Sequence, residues 1–251
     1  MLNQITQMRL PSGKTIALVD WTDRPLWSTI EVLHGSTFQE MNFFQYTVGD
    51  GVPAFAPVAS TSRTANESDT NLAAPGTMAS TEEFLVYAIR PEVYRRQVSS
   101  AQTPDFSSPA AFAAGSNEPM ATMLMLAVLN HRTTLSLEIS DKVYASAGFG
   151  YFNAGFGPFG GDSVPGGALT GHVAGVNGLP SQEAVRAFTI PQHIGGQEKF
   201  RVFLQYLDDG TGNGIELGQE GASEDGAPGT EATRFARIRV YLDGLYKRPV
   251  S

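Results

Sequence analysis

The sequence predicts an all-β protein, a β-sandwich, and three segments in the last third of the chain carry this prediction. Residues 185–190, 199–207 and 234–246 alternate apolar and polar side chains, and they are rich in β-branched and aromatic residues that suit a pleated, half-buried surface. The connections between them are too long for tight hairpins, which points to a sandwich. With 251 residues and 41% hydrophobic content, the chain can bury a sizeable core.

Further strands are predicted along the rest of the chain. Three lie in the first fifty residues, at 15–21, 28–33 and 38–46, and each is bounded by Pro, Gly or Asp turn signals. Three more follow at 84–89, 133–140 and 142–149. Pro91 marks a point where ladder pairing must break or run along an edge, because proline has no N–H to donate.

Four segments are predicted as loop insertions in a single domain spanning residues 1–251, namely 52–81, 97–118, 148–180 and 208–233. The first contains mostly Ala, Ser, Thr, Pro and Asn, so it is expected to be exposed or pinned by a neighbouring subunit. The third holds eleven of the 27 glycines, interleaved with Phe and Tyr, and is expected to be an elaborate loop anchored by its aromatic rings.

One short helix is predicted after Asn117, which could cap it, with Pro119 in its first turn. The apolar residues there follow the helical spacing and are Met120, Met123, Leu124, Ala127 and Val128. A buried strand over 124–129 is the competing interpretation, since periodicity does not separate the two for a nearly continuous apolar run.

Composition argues against several classes of partner and chemistry. The net charge of −8 and the pI near 5.0 would repel a nucleic-acid backbone, so no direct sequence-specific nucleic-acid binding is expected. Arg90, Arg95 and Arg96 form a local exception, either a small basic patch or a solvated strand end with ion pairs. The absence of cysteine excludes disulfides, thiolate zinc sites and a cysteine nucleophile. Neither a signal peptide nor a membrane-spanning apolar run is recognisable.

A calcium loop is the only metal site that the sequence suggests. Asp209, Thr211, Asn213 and Glu220 follow the spacing of oxygen ligands in such a loop, with Gly214 at the turn position. Thr211 replaces the usual acid or amide, and no helices are predicted on either side. The alternative is a flexible acidic loop over 208–231.

No catalytic constellation is evident, and no enzymatic activity is expected. The G-x-G-x-x-G match at 155–160 lacks the following helix that a dinucleotide site needs. The four histidines have no ligand spacing. Glu82 with Glu83, or Glu31 with Glu40, could in principle flank a cleft as a glycosidase pair, although surface acids are the commoner outcome.

The order of several segments resembles that of jelly-roll major capsid proteins of tailless icosahedral, membrane-containing bacteriophages. The likeness covers approximately residues 70–251 and depends on strand order and on short phrases such as FTIPQHI and VYLDG. The segments that carry it are 70–76, 84–89, 133–149, 187–207 and 236–251.

This resemblance implies a self-assembling virion protein that is made in the host cytoplasm and forms the shell around a genome. Its partners would be copies of itself, in trimers or pseudo-hexameric capsomers, and other virion proteins, with an internal viral membrane nearby. Many such proteins contain two jelly rolls, which need about sixteen core strands. The nine or ten strands predicted here favour a single roll with extra N-terminal strands and long loops, and a double roll remains the alternative.

A carbohydrate-binding, lectin-like β-sandwich is the main alternative function, with calcium bound if the Asp209 loop is a true site. Trp21, Trp27 and Tyr151 would serve as sugar platforms, whereas tryptophans in a sandwich are more often core anchors. An exposed tryptophan in a monomeric protein would favour this alternative. An enzyme on the same scaffold ranks last, because no metal cluster or nucleophile motif is present.

Overall fold

The structure is a computed structural model, and it describes residues 7–9, 13, 15–17, 20–33, 37–52, 54–55, 64–97, 129–152, 159–160, 173–175, 185–207, 215–216 and 234–247. Two sheets of mainly antiparallel strands pack face to face as a sandwich. The described strands, in chain order, are β1 (Gln7–Arg9), β2 (Thr15–Ala17), β3 (Trp21–Asp23), β4 (Leu26–Leu33), β5 (Thr37–Phe38), β6 (Glu40–Phe43), β7 (Ala54–Phe55), β8 (Glu83–Gln97), β9 (Thr133–Ile139), β10 (Lys142–Gly148), β11 (Phe159–Gly160), β12 (Val173–Gly175), β13 (Ala187–Ile194), β14 (Phe200–Tyr206), β15 (Ile215–Glu216) and β16 (Arg234–Lys247).

The larger sheet has six strands, five of them in the order β13-β8-β16-β4-β7, with β3 paired to the end of β16. Strands β8 and β16 are its long centre, and they stay paired from Glu83 with Lys247 to Gln97 with Arg234. A bulge interrupts this ladder between Asp243 and Gly244. A Cβ on Gly244 would lie 2.1 Å from the Leu85 carbonyl oxygen, so the close approach of the two strands requires glycine there.

The smaller sheet has four strands in the order β10-β9-β14-β6, all antiparallel. The turn between β9 and β10 consists of Ser140 and Asp141, both with positive φ, as a two-residue hairpin of the primed type requires. Beyond β10 a 3-10 turn, Phe149–Phe152, places two phenylalanine rings in the core. Three two-stranded pairings complete the strands, namely β1 with β2, β5 with β15, and β11 with β12.

The core lies between the two sheets and follows the period-two alternation of the strands. In β16, Ile238, Val240 and Leu242 are fully buried, while the residues between them are partly exposed on the outer face. In β14, Val202 and Leu204 face the same core from the other sheet. Burial of one face of each sheet against the other therefore stabilises the sandwich through the hydrophobic effect.

The structure confirms the β-sandwich architecture and most of the predicted strands. The segment predicted as one strand at 38–46 is divided into β5 and β6, and Phe44 follows with a positive φ that ends the extended chain. The segment predicted at 15–21 supplies β2 and the first residue of β3. Pro91 pairs with Val240 of β16 on one flank of β8, and on the other flank the ladder with β13 reaches residues 84–88 among the described residues.

The predicted helix at 117–128 lies outside the described residues, and residues 129–132 are helical. No helix in the described part of the chain is long and apolar enough to cross a membrane.

The prediction that residues 52–81 are exposed or held by a neighbouring subunit is wrong for several described residues of that loop, while others, such as Glu67, are exposed. Asp69 and Thr70 are completely buried against their own chain, and Leu72 and Met78 belong to the sandwich core. The physical reason is that polar side chains of this loop find partners on the adjacent sheet, so the loop packs against the sheet with few large apolar residues.

Candidate functional site

The outer face of the six-stranded sheet is covered by a segment that we call the strap, residues 64–72. The strap forms a bridge between Thr70 and Ser28 of β4, beyond the short pairing of β4 with β7. Trp27 holds it twice: its backbone N–H donates to Asn71 Oδ1 at 2.9 Å, and its indole N–H donates to the Glu67 carbonyl at 3.1 Å. The strap is therefore fixed to the sheet by polar contacts.

Beneath the strap lies a buried ionic cluster. The Arg237 guanidinium donates to the Asp69 carboxylate, and Glu31 Oε1 is 4.0 Å from Arg237 Nε. Asp69 also accepts from the backbone N–H of Asn66 at 3.0 Å, which fixes the turn that carries the carboxylate. The Asp69 side chain is fully buried and that of Arg237 is 11% exposed, so both charges are largely removed from water.

Tyr46 lies beside this cluster and contacts β4. Its hydroxyl donates to the Thr29 carbonyl and accepts from the Thr29 N–H at 3.0 Å. Burial raises the pKa of Tyr46 to about 12, because the phenolate would lose its hydration there. The ring therefore stays neutral at physiological pH.

A ladder of cations and aromatic rings continues along the same outer face. Arg239 donates to the Ser68 carbonyl of the strap at 2.6 Å and to the hydroxyl of Tyr241 at 3.0 Å. Arg90 lies over the Tyr241 ring at 4.5 Å and makes a bidentate pair with Asp243 at 3.1 Å. The hydrogen bonds from Arg90 to Asp243 raise the pKa of Arg90. Arg90 of the predicted basic patch is thus paired, and the side chains of Arg95 and Arg96 lie outside the described ones.

The four-stranded sheet carries a different network on its outer face. Arg201 pairs with both oxygens of Glu138 at 3.1 Å and donates to Glu40 at 3.1 Å and to Asn42 at 2.8 Å. Its guanidinium also lies 4.7 Å from the centre of the Phe203 ring. Arg201 borders a surface cleft of about 420 Å³. The side chains that line this cleft are largely polar and include Gln45, Thr77, Glu138, Ser140, Asp141 and Lys199.

One side of the sandwich exposes apolar side chains. We call it the open side, residues 142–152 and 185–194, because β10 and β13 are the outermost strands of their sheets there. Tyr151 and Ile190 are 57% and 52% exposed. Arg186 lies over the Tyr151 ring at 5.5 Å, which shows that the two segments of the open side are adjacent at these residues.

The structure separates the carboxylates that the sequence offered as catalytic pairs. Glu31 alternates with buried Ile30 and Val32 and so lies on the outer face of the six-stranded sheet, whereas Glu40 alternates with buried Met41 on the other sheet. The two lie on opposite outer faces. Glu83 is held by Lys247 at 2.6 Å and by His193 at 2.8 Å, and the Glu82 carboxylate accepts from the Ala79 N–H at 3.4 Å.

Of the three aromatic residues proposed as sugar platforms, one is exposed. Trp21 is buried against Leu85, and Trp27 is half-buried with its indole N–H engaged by the strap. Tyr151 is exposed. Neither tryptophan is exposed, so the observation that would favour the lectin-like alternative is not made.

The candidate calcium ligands Asp209, Thr211, Asn213 and Glu220 lie outside the described residues, as does most of the glycine-rich match at 155–160. Among the residues that are described, no group of three or more His, Asp or Glu side chains is arranged to hold a metal ion. The adjacent pair Ile215–Glu216 forms β15 and pairs with β5.

Sequence reasoning missed the Asp69 and Arg237 cluster and the Arg201 network. The sequence contains one signal for these networks. Arginines alternate with buried apolar residues in β14 and β16, so they lie on the outer faces, where acidic partners are expected. Which acids they meet depends on the path of the strap, and no local pattern encodes that path.

Comparison of the chain with models of known protein families, with curated proteins and with solved structures finds no match. Function is therefore inferred from the geometry of the chain itself.

Proposed function

We propose that this chain is a structural virion protein, a self-assembling subunit of a bacteriophage shell, built as a single jelly roll. The observation that carries the proposal is the pairing of its eight main strands. In chain order these are β4, β6, β8, β9, β10, β13, β14 and β16.

These strands pair in nested fashion, the first with the last. β4 pairs with β16, β6 with β14, β8 with β13, and β9 with β10, and every one of these pairs is antiparallel. The first and third pairs lie in the six-stranded sheet, and the second and fourth lie in the other sheet. A long antiparallel ribbon folded over itself in this way is the arrangement of a double-sheet jelly roll, a fold used by viral capsid proteins and also by lectins.

The strand count supports one roll and not two. Eight strands account for the whole four-stranded sheet and for four of the strands in the six-stranded one, while β3 and β7 are short additions at its margins. The described strands therefore supply one set of nested pairs.

The distribution of exposed groups supports assembly as the function. A shell subunit works by geometry, because it must hold a rigid shape and present fixed surfaces to its neighbours. The continuous core and the strap provide the rigidity. On the open side β10 and β13 are the outermost strands among the described residues, and several apolar side chains are exposed. In a shell, such surfaces would be buried between copies.

The proposal is tested by the mass and shape of the purified protein. Light scattering on a sizing column, followed by negative-stain electron microscopy, should give discrete trimers or larger capsomers, or shells and sheets built from them. The measurement is made with and without calcium, because the loop at Asp209 is a candidate site. A monomer at every protein concentration and ionic strength would contradict the proposal.

Carbohydrate binding is the rival proposal, and the polar cleft beside Arg201 is the observation that favours it. Its rim offers carboxylate, amide, hydroxyl and ammonium groups, which hydrogen-bond sugar hydroxyls well. Screening the protein against a glycan array tests this rival. Binding that is lost in an Asp141→Asn variant would support it, and an array without signal would contradict it.

A further inference from the structure

Exposed apolar side chains are concentrated on the open side of the sandwich. Six large hydrophobic residues in the described part of the chain are exposed. Four of them belong to the open side, and they are Val143, Tyr144, Tyr151 and Ile190. In a monomer this apolar surface would stay in contact with water, which is unfavourable in free energy. Association that buries the surface would remove this unfavourable contact.

The charged side chains within the open side are cations, while the acids Asp141, next to Lys142, and Glu83, in contact with His193, lie at its margin. Residues 142–152 and 185–194 include Lys142 and Arg186 and no aspartate or glutamate, in a chain whose net charge is −8. Both cations lie over tyrosine rings, Lys142 at 4.9 Å from Tyr144 and Arg186 at 5.5 Å from Tyr151. The open side therefore combines apolar area with positive charge.

The opposite side has the complementary character. There β6 and β7 are the outermost strands, and the chain between them passes through a turn beside the start of the strap. We call this surface the acidic patch, residues 47–51 and 64–68. Asp50 and Glu67 are its exposed charged residues, Val48 is 47% exposed beside them, and the Arg239 guanidinium reaches its margin at the Ser68 carbonyl, 2.6 Å away.

The acidic patch is held in a defined shape. The Gly49 N–H donates to the Ala65 carbonyl at 3.0 Å, and the Ala65 N–H donates to the Asp50 carbonyl at 2.7 Å. The Asp50 carboxylate accepts from the N–H and the hydroxyl of Thr47 at 2.8 and 2.7 Å. These hydrogen bonds lower the pKa of Asp50, so the carboxylate stays charged in mildly acidic solution.

We propose that copies of this chain associate head to tail, with the open side of one copy against the acidic patch of the next. This inference deepens the proposed shell function and rests on it. Two like-charged copies repel each other over most of their surfaces, and these two patches join positive to negative and apolar to apolar. Because the patches lie on opposite sides, the contact is heterologous, and it closes into a ring when the rotation between copies allows.

Charge reversal followed by charge exchange tests the contact. The variants are Arg186→Glu on the open side, Glu67→Arg on the acidic patch, and the double variant that carries both. Glu67 is suitable because its backbone carbonyl, and not its carboxylate, holds Trp27. Lys199→Glu, at the rim of the cleft, and Asp20→Arg are matched controls, since both residues are exposed and lie outside the two patches.

Light scattering over a concentration series, with circular dichroism to confirm folding, gives the midpoint of assembly for each protein. Each single reversal should raise the midpoint about tenfold or more, as expected for close charge pairs across an interface. The double variant should return it towards the wild-type value, and the two controls should leave it unchanged. High salt should weaken wild-type assembly, because it screens the attraction.

The experiment distinguishes failure of the inferred contact from failure of the proposed function. If the wild type assembles and both single variants assemble equally well, the inferred contact is wrong while the proposed function stands. Loss of assembly in both singles without recovery in the double variant overturns the pairing of these two patches. A wild type that never assembles overturns the proposed function and this inference with it.

Discussion

The two outer faces of the sandwich use the same ionic chemistry at different depths. Under the strap, Arg237 pairs with Asp69, and their side chains are 11% and 0% exposed. On the four-stranded sheet, Arg201 pairs with Glu40 and Glu138, and these three side chains are 36%, 37% and 19% exposed. The path of one loop therefore decides whether an arginine–carboxylate pair is buried and contributes strongly to stability or is exposed and contributes little.

The difference arises because a buried charge depends on its partner. Arg237 has given up most of its hydration, so the loss of Asp69 would leave a cation in a poorly hydrated site with Glu31, 4.0 Å from its Nε, as the remaining acid named beside it. Arg201 keeps access to water, and water can replace each of its partners. Three substitutions test this contrast, and they are given in order of decreasing expected effect.

The largest effect is expected from Asp69→Ala. It removes the carboxylate that the buried Arg237 guanidinium contacts, and we expect a loss of about 3–5 kcal/mol in the free energy of unfolding. Urea denaturation followed by circular dichroism measures the loss. The double variant Asp69→Ala with Arg237→Leu should recover only part of it, since the buried guanidinium is then gone while Glu31 loses its cationic neighbour. A loss below about 1 kcal/mol for the single variant would mean that the cluster is hydrated in solution.

A smaller effect is expected from Tyr46→Phe, which leaves the backbone N–H and carbonyl of Thr29 without the hydroxyl that they contact. The expected loss is about 1–3 kcal/mol in the free energy of unfolding at neutral pH.

This substitution also predicts a pH dependence. The pKa of Tyr46 is about 12 in the folded chain and about 10 in the unfolded chain. The unfolded state therefore loses its proton first, and the contribution of Tyr46 is complete below pH 10 and is lost as the pH rises towards 12. Urea titrations at several alkaline pH values should show a steeper fall for the wild type than for Tyr46→Phe. Parallel falls would contradict the burial of the phenol.

The smallest effect is expected from Arg201→Ala. Despite its four hydrogen bonds to acids and to Asn42, the side chain is over one third exposed, so we expect a loss of about 1 kcal/mol or less. The matched comparison is Arg237→Ala, which should cost several times more because it leaves Asp69 buried without its partner. Equal losses for the two arginines, measured by urea denaturation at the same salt concentration, would remove the distinction between the two faces.

The sequence predicted the strands well because their signal is local. Alternation in β14 and β16 depends on residues two positions apart, and each strand could be identified without knowing its neighbours. The end of β6 before residue 46 was missed because it depends on the surroundings of Phe44, which has a positive φ and whose N–H donates to Ser28 Oγ on the other sheet.

The surfaces were harder to predict than the strands. Residues 64–72 look like an exposed polar loop in the sequence, and their burial depends on Trp27 and Arg237, which are distant in the chain. The open side likewise joins residues 142–152 to residues 185–194, and the acidic patch joins residues 47–51 to residues 64–68, so only the fold brings each surface together. The proposed pairing of exposed charges between copies depends on these surfaces and so could not be predicted from any local pattern.

Electron cryomicroscopy of the assembled protein tests the central claim most directly. We expect a map in which neighbouring copies meet through the open side and the acidic patch, with β10 and β13 buried at the contact and the strap still closed over its own sheet. A map in which these strands face solvent, or a sample that contains only single chains of 26.9 kDa, would contradict the account.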